Sequence, residues 1–584
     1  MVGSEEEFLL SEKQENSSKK LTVVKQPDLP NKKMLRELLA LSGMDALNRI
    51  LEQKDPRRYL QQMARVDFFW LIKKIGEDDA LPLLKLASPE QWQYLLDMEL
   101  WRKDRIDVDQ ITLWLERLHR SDPGALVKWL SSHGQALAYV YLFKNIQVIM
   151  KNWDEDEAVP EDFFSLDGTY FIRILNKDHE EMIGNVLREM ARNNYEQYQA
   201  LILGLAGLLP AEAEEKMYRM RNVRLAEEGF LPLEEALSVY MYQKADTLLK
   251  DQPAQRGSST SREGTEVRVP MIPLIHSQDN KFLALAVSRL EDPLFLDRIR
   301  LEFAGLCNQI LSADGLVVGD FEDLIRICRK AAGYLSLGLE RLTEGNLPLS
   351  EQMLKQNTLL SIFRVGFGMA LELKWEAERW IKEAWFDSMG FKTDFWGEEW
   401  GPTLLGLLQR RPRFFCGDLE RETYREFEQS SDLDRCRQTL GHLIALDKIF
   451  EGLTSRYPLP SARIKDPLFT FHPLLFTFWA RRQLKLKPGF APLTAAQMRN
   501  FFNIIRGRTV KPPYRMSRYK KIFLGDLLSA IQDRDSGEEG TFRETLSKLW
   551  ALFVDEYAWV PEEELDEKFT RFLLIESSRD VLLH

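Results

Sequence analysis

Four cysteines in 584 residues are too few and too scattered to hold a fold together. Cys307, Cys328, Cys416 and Cys436 form no CxxC pair, so reduced core thiols are expected, as in a cytosolic protein. Long hydrophobic runs are missing as well. None nears the roughly 18 apolar residues that a membrane-spanning helix needs. Residues 1–20 show no basic region followed by an apolar one, which predicts no secretory signal, and Val2 stands where myristoylation needs glycine. The expectation is a soluble, cytoplasmic protein without a transmembrane segment. A net charge of −11 argues against wholesale nucleic-acid binding.

Familiar catalytic patterns are also lacking. There is no GxxxxGK[ST] loop and no GxGxxG, since Gly366-Phe367-Gly368 lacks the third glycine and sits in a helical pattern. No GxSxG elbow occurs. His179-Glu180-Glu181 comes nearest to a zinc helix, but nothing follows at the right spacing. Only seven histidines are present, few to serve as general bases. The run Asp154-Glu155-Asp156-Glu157 reads as a solvated loop. Asp533, Asp535 and Glu544 imitate positions of a calcium loop, but Gly537 and Glu538 break it. Glu372 and Glu376 share a helical face without an ExxH partner, which predicts a surface stripe beside a core of Trp375, Trp380 and Trp385. No cofactor and no metal site are expected, the catalytic residues are unknown, and the balance leans away from an enzyme.

Helical periodicity is what the sequence does contain. Met44, Leu47, Ile50 and Leu51 share a face, as do Leu296, Ile299, Phe303, Leu306 and Ile310; Phe542, Leu546, Leu549, Trp550 and Phe553 do the same near the end. Alternation at period two is hard to find, and its best example, 267–275, carries Pro270 and Pro273, which make it an edge strand or a loop. The fold class read from this is all-α. In the first third, Asp55-Pro56, Ser88-Pro89 and Asp122-Pro123 each precede an amphipathic run, and Val159-Pro160 continues the series less well. Asp or Ser caps free helix amides and Pro fits the first helical position. Gln91 completes a capping box with Ser88. The prolines stand 33, 34 and 37 residues apart, near the length of a helical-hairpin repeat. A degenerate superhelical repeat and an irregular bundle both accommodate this. Residues 252–268 are rich in Ser, Gly, Thr and charge and have no apolar face. The domains expected are a flexible tail at 1–30, a helical-repeat domain at 31–250, a linker at 251–270 and a larger, irregular helical domain at 271–584.

Two segments invite closer reading. In EFAGLCNQILSADG, residues 302–315, Cys307 lies beside the apolar stripe as a structural thiol, and Asn308 makes a buried polar contact or marks the edge of the stripe. The second lies between Asp466 and Asp526, where 59 residues contain no Asp or Glu and carry 12 Lys or Arg. It opens with the apolar run PLFTFHPLLFTFWA and ends in RGRTVKPPYRMSRYKK, where cations interleave with Tyr514 and Tyr519. The candidate binding residues are Arg481, Arg482, Arg499, Arg506, Arg508, Lys511, Arg515, Arg518, Lys520 and Lys521. Three roles compete: the cations pair with acidic parts of this chain or of a partner, they meet an anionic membrane surface, or they bind single-stranded nucleic acid by phosphate pairing and base stacking.

With residues 302–315 and the Trp-rich segment FRVGFGMALELKWEAERW at 363–380, the chain resembles an uncharacterised bacterial family known only as a domain of unknown function. That resemblance implies a bacterial cytoplasm and brings no activity or site residues with it. Separately, residues 55–132, with ALPLLKLASPEQWQYLLDM, look like the superhelical cytosolic N-domain of magnesium transporters. This second likeness implies a helical superhelix only, because the transporter's membrane helices are absent. A protein-interaction or scaffold protein is the leading expectation, with a protein as partner. The alternatives are a peripheral binder of anionic lipid or single-stranded nucleic acid through 481–521, and an enzyme of unfamiliar type.

Overall fold

The computed structural model describes residues 32–102, 104–150, 160–205, 210–250, 268–276, 281–316, 318–417, 423–459, 469–507, 511–529, 539–565 and 570–576. The tail expected at 1–30, most of the linker expected at 251–270, the acidic run 154–157 and Asp533 and Asp535 lie outside the described residues, as does Arg508. Helices dominate and the strands are short, so the protein is all-α in class. Among the described residues no helix is long and apolar enough to cross a membrane. The residues gather into two compact units, one taking the chain up to Met217 together with Pro270–Ile272, the other Tyr218–Val269 and Pro273 onward.

In the first unit the caps form as read. The side chains of Asp55, Ser88 and Asp122 accept the amides of Arg58, Gln91 and Ala125, each with proline in the first turn. Gln91 closes the capping box. Its side-chain amide, fully buried, also donates to the carbonyls of Leu60 and Met63 at 2.8 and 3.3 Å. Early helices pack on the next but one: Gly43–Leu51 on Arg65–Ile75 and that on Pro89–Glu99, Pro56–Gln61 on Leu81–Leu86 and that on Val108–Ser121. The prolines do not mark one repeated position, since Pro56 and Pro89 open helices in opposite rows. Pro160 opens no helix at all and leads by a turn into the strand Phe164–Ser165.

That strand belongs to a three-stranded antiparallel sheet that periodicity does not announce. Tyr170–Ile174 is central, flanked by Ile146–Met150 and Phe164–Ser165, with Ile146 opposite Ile174 and Met150 opposite Tyr170. Five residues give too short a window for period two to stand out beside the helices on either side. The segment 267–275 is neither edge strand nor loop throughout, because Ile272–His276 is helical. The reason is a distant cap. Asp67, buried on Arg65–Ile75, accepts the amides of Met271 and Ile272 at 2.9 Å each, supplying acceptors that the first turn lacks.

The second unit is built on long helices, Pro293–Asp314, Phe321–Thr343, Leu359–Glu383 and Ser430–Thr454. Phe321–Thr343 and Leu359–Glu383 cross at Gly338 and Gly366, where added Cβ atoms would stand 2.1 Å from the Ile362 carbonyl and 1.9 Å from the Tyr334 carbonyl. Gly366 thus serves helix contact, and Gly368 faces the Tyr242 ring. Beyond it lies an aromatic core around the buried helix Phe471–Gln483. Trp479 is wholly buried, and the Phe476 ring stacks on Phe553 and Phe523 at 4.6 and 5.1 Å. The predicted stripe Phe542, Leu546, Leu549, Trp550 and Phe553 forms the opposing wall.

Candidate binding surface

The cations of the acid-free segment divide by what their surroundings offer them. Arg481, at the end of Phe471–Gln483, donates to the carbonyls of Lys487 and Ala491 at 3.0 and 3.2 Å and closes the turn between them. Arg482 pairs with Asp526 at 3.1 Å, and Gln483 donates to the same carboxylate. Arg506 is buried at the end of Ala495–Arg506. It donates to the Val560 carbonyl at 2.7 Å, and its guanidinium lies over the rings of Tyr514 and Phe502 at 4.1 and 5.0 Å. Burial holds its pKa below the ordinary arginine value. These three side chains are occupied within the fold.

Arg499, Lys511, Arg515, Arg518 and Lys521 are exposed and Lys520 half-buried. Among the described residues none of the six has a carboxylate within ion-pair distance. Arg518, Lys520 and Lys521 stand in the opening turns of Ser517–Leu528, whose N-terminus has neither a side-chain cap nor an acidic residue in its first turn. Positive side chains there oppose the helix dipole. The aromatic residues interleaved with them do not face out: Tyr514 is buried, and Tyr519 is half-buried against Trp479. The apolar run at the start of the segment is core, from Phe471 to Ala480 apart from half-buried Pro473.

Other polar groups meet inside the second unit, and sequence reading found none of these sets. Lys330, buried on Phe321–Thr343, bridges Asp314 and Glu426 at 3.1 and 2.9 Å. Arg411 bonds to Asp314, Tyr240 donates to Asp314 at 2.6 Å, and Tyr334 donates to Glu426 at 2.9 Å. Burial and the neighbouring carboxylates push both tyrosine hydroxyls well above their usual range. Donors and acceptors here satisfy one another, which suits a network holding five chain segments together. Asp314 closes the segment 302–315. Within that segment Asn308 makes the buried contact, donating to the Glu228 carbonyl at 2.6 Å, and the Cys307 and Cys328 sulfurs lie 3.7 Å apart. Cys307, Cys328 and Cys436 are buried, whereas Cys416 is a surface thiol, contrary to its expected place in a core.

Among the described residues two histidines are buried. His442 shares a hydrogen bond with Thr545 at 2.8 Å through Nδ1 and faces Lys548 at 2.8 Å through Nε2. Thr545 gives its own proton to the Thr541 carbonyl, so Nδ1 carries the hydrogen and Nε2 accepts. Burial, with Lys548, brings this histidine down to about 4. His472 lies beside Gly397 with Nε2 3.8 Å from Glu399, whose other oxygen pairs with Arg571 at 2.6 Å. Burial, with Arg571, brings His472 down to about 3. His179 lies 3.7 Å from Glu116. Trp375 is 39% exposed, beside Tyr242, and Glu372 accepts the Tyr242 hydroxyl, so the Trp-rich helix face is less buried than its sequence suggests.

Among the described residues no three His, Cys, Asp or Glu side chains gather as a metal site would need. A small apolar cavity lies in the first unit, walled by Leu115, Leu130, Leu142, Ile183 and Met190. Residues 25–576 match a family model described as a family of unknown function (DUF6178). No curated protein and no solved structure matches, and the likeness to magnesium transporters gains no support.

Proposed function

The chain belongs to this family of unknown function, and we propose that it acts as a cytoplasmic interaction protein that engages an acidic partner protein through the cations of 499–521. One observation carries the reading: Arg499, Lys511, Arg515, Arg518 and Lys521 are exposed without a carboxylate partner among the described residues, while their neighbours Arg481, Arg482 and Arg506 are occupied internally. Exposed like charges on one segment raise the free energy of the isolated chain slightly and are relieved by an anionic partner. The stacked helices of the first unit, read as a degenerate repeat, add extended surface for further contacts. Burial of Tyr514 and the lean of Tyr519 into the core weigh against nucleic acid, which needs open rings for base stacking.

The test is charge reversal at exposed positions only. Arg515→Glu, Arg518→Glu and Lys521→Glu together are expected to leave the thermal midpoint unchanged and to remove salt-sensitive binding of a glutamate-rich peptide, read by fluorescence anisotropy. Arg506 is left intact, because a glutamate there would be a buried, unpaired charge. Unaltered binding by the triple variant would sink the reading. So would a preference for phosphatidylserine vesicles or oligothymidylate over the peptide.

A further inference from the structure

Two large apolar side chains stand in the open near these cations, Ile522, 38% exposed beside Lys521, and the larger Trp559. Trp559 is 67% exposed. Of the other described tryptophans only Trp375 is exposed, at 39%. Its exposure is built in by its neighbours. The Ala558 carbonyl accepts the amide of Tyr514 at 2.8 Å, and the Val560 carbonyl accepts the buried guanidinium of Arg506 at 2.7 Å. The Ala558 amide in turn closes the end of Glu539–Tyr557 by donating to Val554 at 2.7 Å. The residues on both sides of Trp559 are thus anchored, and the indole is carried on a held turn whose Ala558 bonds Tyr514, the residue before Arg515. Leaving an indole in water forgoes the burial of a large apolar surface.

Charge selects among the possible occupants. The turn adjoins the basic loop through Tyr514, which Lys511 and Arg515 flank, but it carries carboxylates of its own, Asp555 and Glu556 before it and Glu562, Glu563 and Glu564 after it, all exposed. A lipid surface or a nucleic acid presents phosphates continuously and so is also repelled by those carboxylates, which lie within a few residues of the indole along the chain. A polypeptide places its charges singly and can set acidic side chains toward Arg515 and Lys511 alone. Tryptophan and arginine are also the residues that most often carry the energy of protein interfaces. We propose that Trp559 is the apolar anchor of the docking surface, and that the partner is a polypeptide segment offering an apolar contact to the indole and carboxylates to Arg515 and Lys511. The assignment rests on the function proposed above and adds the residue that sequence reading of 481–521 leaves out.

The experiment compares the full chain with Trp559→Ala, Trp559→Phe and the triple charge reversal. The probe is a fluorescein-labelled peptide alternating glutamate with leucine and phenylalanine, beside an all-glutamate control of equal length. Because Trp559 is exposed, Trp559→Ala is expected to keep the far-UV spectrum and the thermal midpoint. The mixed peptide should bind more tightly than the control, lose about tenfold in affinity with Trp559→Ala, and recover part of it with Trp559→Phe. Loss on charge reversal with no loss on Trp559→Ala overturns the anchor and leaves the acidic-partner reading standing. Binding that is lost in neither variant, or absent altogether, overturns both. Trp559-dependent binding to phosphatidylserine vesicles or oligothymidylate, with none to the mixed peptide, overturns the choice of a polypeptide.

Discussion

Gly366 shows how much one missing methyl group decides. Its hydrogen faces the Tyr334 carbonyl so closely that a Cβ would lie 1.9 Å away, and Gly338 makes the reciprocal approach to Ile362. Backbone cannot yield as a flexible side chain does, so overpacking here separates two helices along a buried face. Gly366→Ala is expected to destabilise by about 3 kcal/mol, read from the urea midpoint. Gly305, in the interior of Pro293–Asp314, has nothing within 4 Å of its added Cβ. There alanine should be neutral or stabilise by up to about 1 kcal/mol. Equal midpoints for the two variants would contradict the close crossing. The sequence places both glycines in helices, but the neighbour that forbids alanine at Gly366 comes from another helix.

At the scale of elements, helix starts were legible where the cap lies within three residues and hidden where it comes from afar. Ser88 and Gln91 are adjacent in sequence, whereas Asp447 on Ser430–Thr454 accepts the amides of Trp385 and Phe386 at 2.9 and 3.0 Å and so starts the short helix Trp385–Ser388. Asp67 does the same for Ile272–His276. Burial raises the Asp447 pKa above the ordinary carboxylate value, opposed by the two amides. Asp447→Ala leaves both amides buried without that acceptor and is expected to cost about 2–4 kcal/mol. Asp447→Asn, which keeps one acceptor oxygen, should cost about half as much. The check is chemical denaturation of both variants, and a milder effect from alanine than from asparagine would remove Asp447 as a cap.

At the scale of the whole molecule, the two histidines buried among the described residues make stability depend on pH. Their folded pKa values, about 4 for His442 and about 3 for His472, lie below the ordinary 6.5. The unfolded chain therefore takes up protons first as pH falls. Stability from these sites is full above about 6.5 and declines from there toward the folded values. For His472, which is 1% exposed, the loss by pH 5 is about 2 kcal/mol. The urea midpoint should accordingly drop between pH 7 and pH 5, and less steeply in His472→Phe. Identical slopes in the two proteins would show that His472 does not enter the fold uncharged.

Helical class, the capped starts at Pro56, Pro89 and Pro123, the apolar stripe from Phe542 to Phe553 and the concentration of 12 cations in 59 residues could all be read before any coordinates, whereas Met44 and Leu51 of the first stripe are exposed. Each depends on residues within a turn or two, or on counting. Which of those cations stay exposed depended on folding. Arg481, Arg482 and Arg506 look like Arg499, Arg515 and Arg518 in sequence, yet the first three are bound by a turn, by Asp526 and by Val560. Trp559 looks like any core tryptophan until Tyr514 and Arg506 hold its neighbours and turn it outward. Composition determines which charges and rings the chain carries. Contacts between residues far apart along it decide which of them remain exposed.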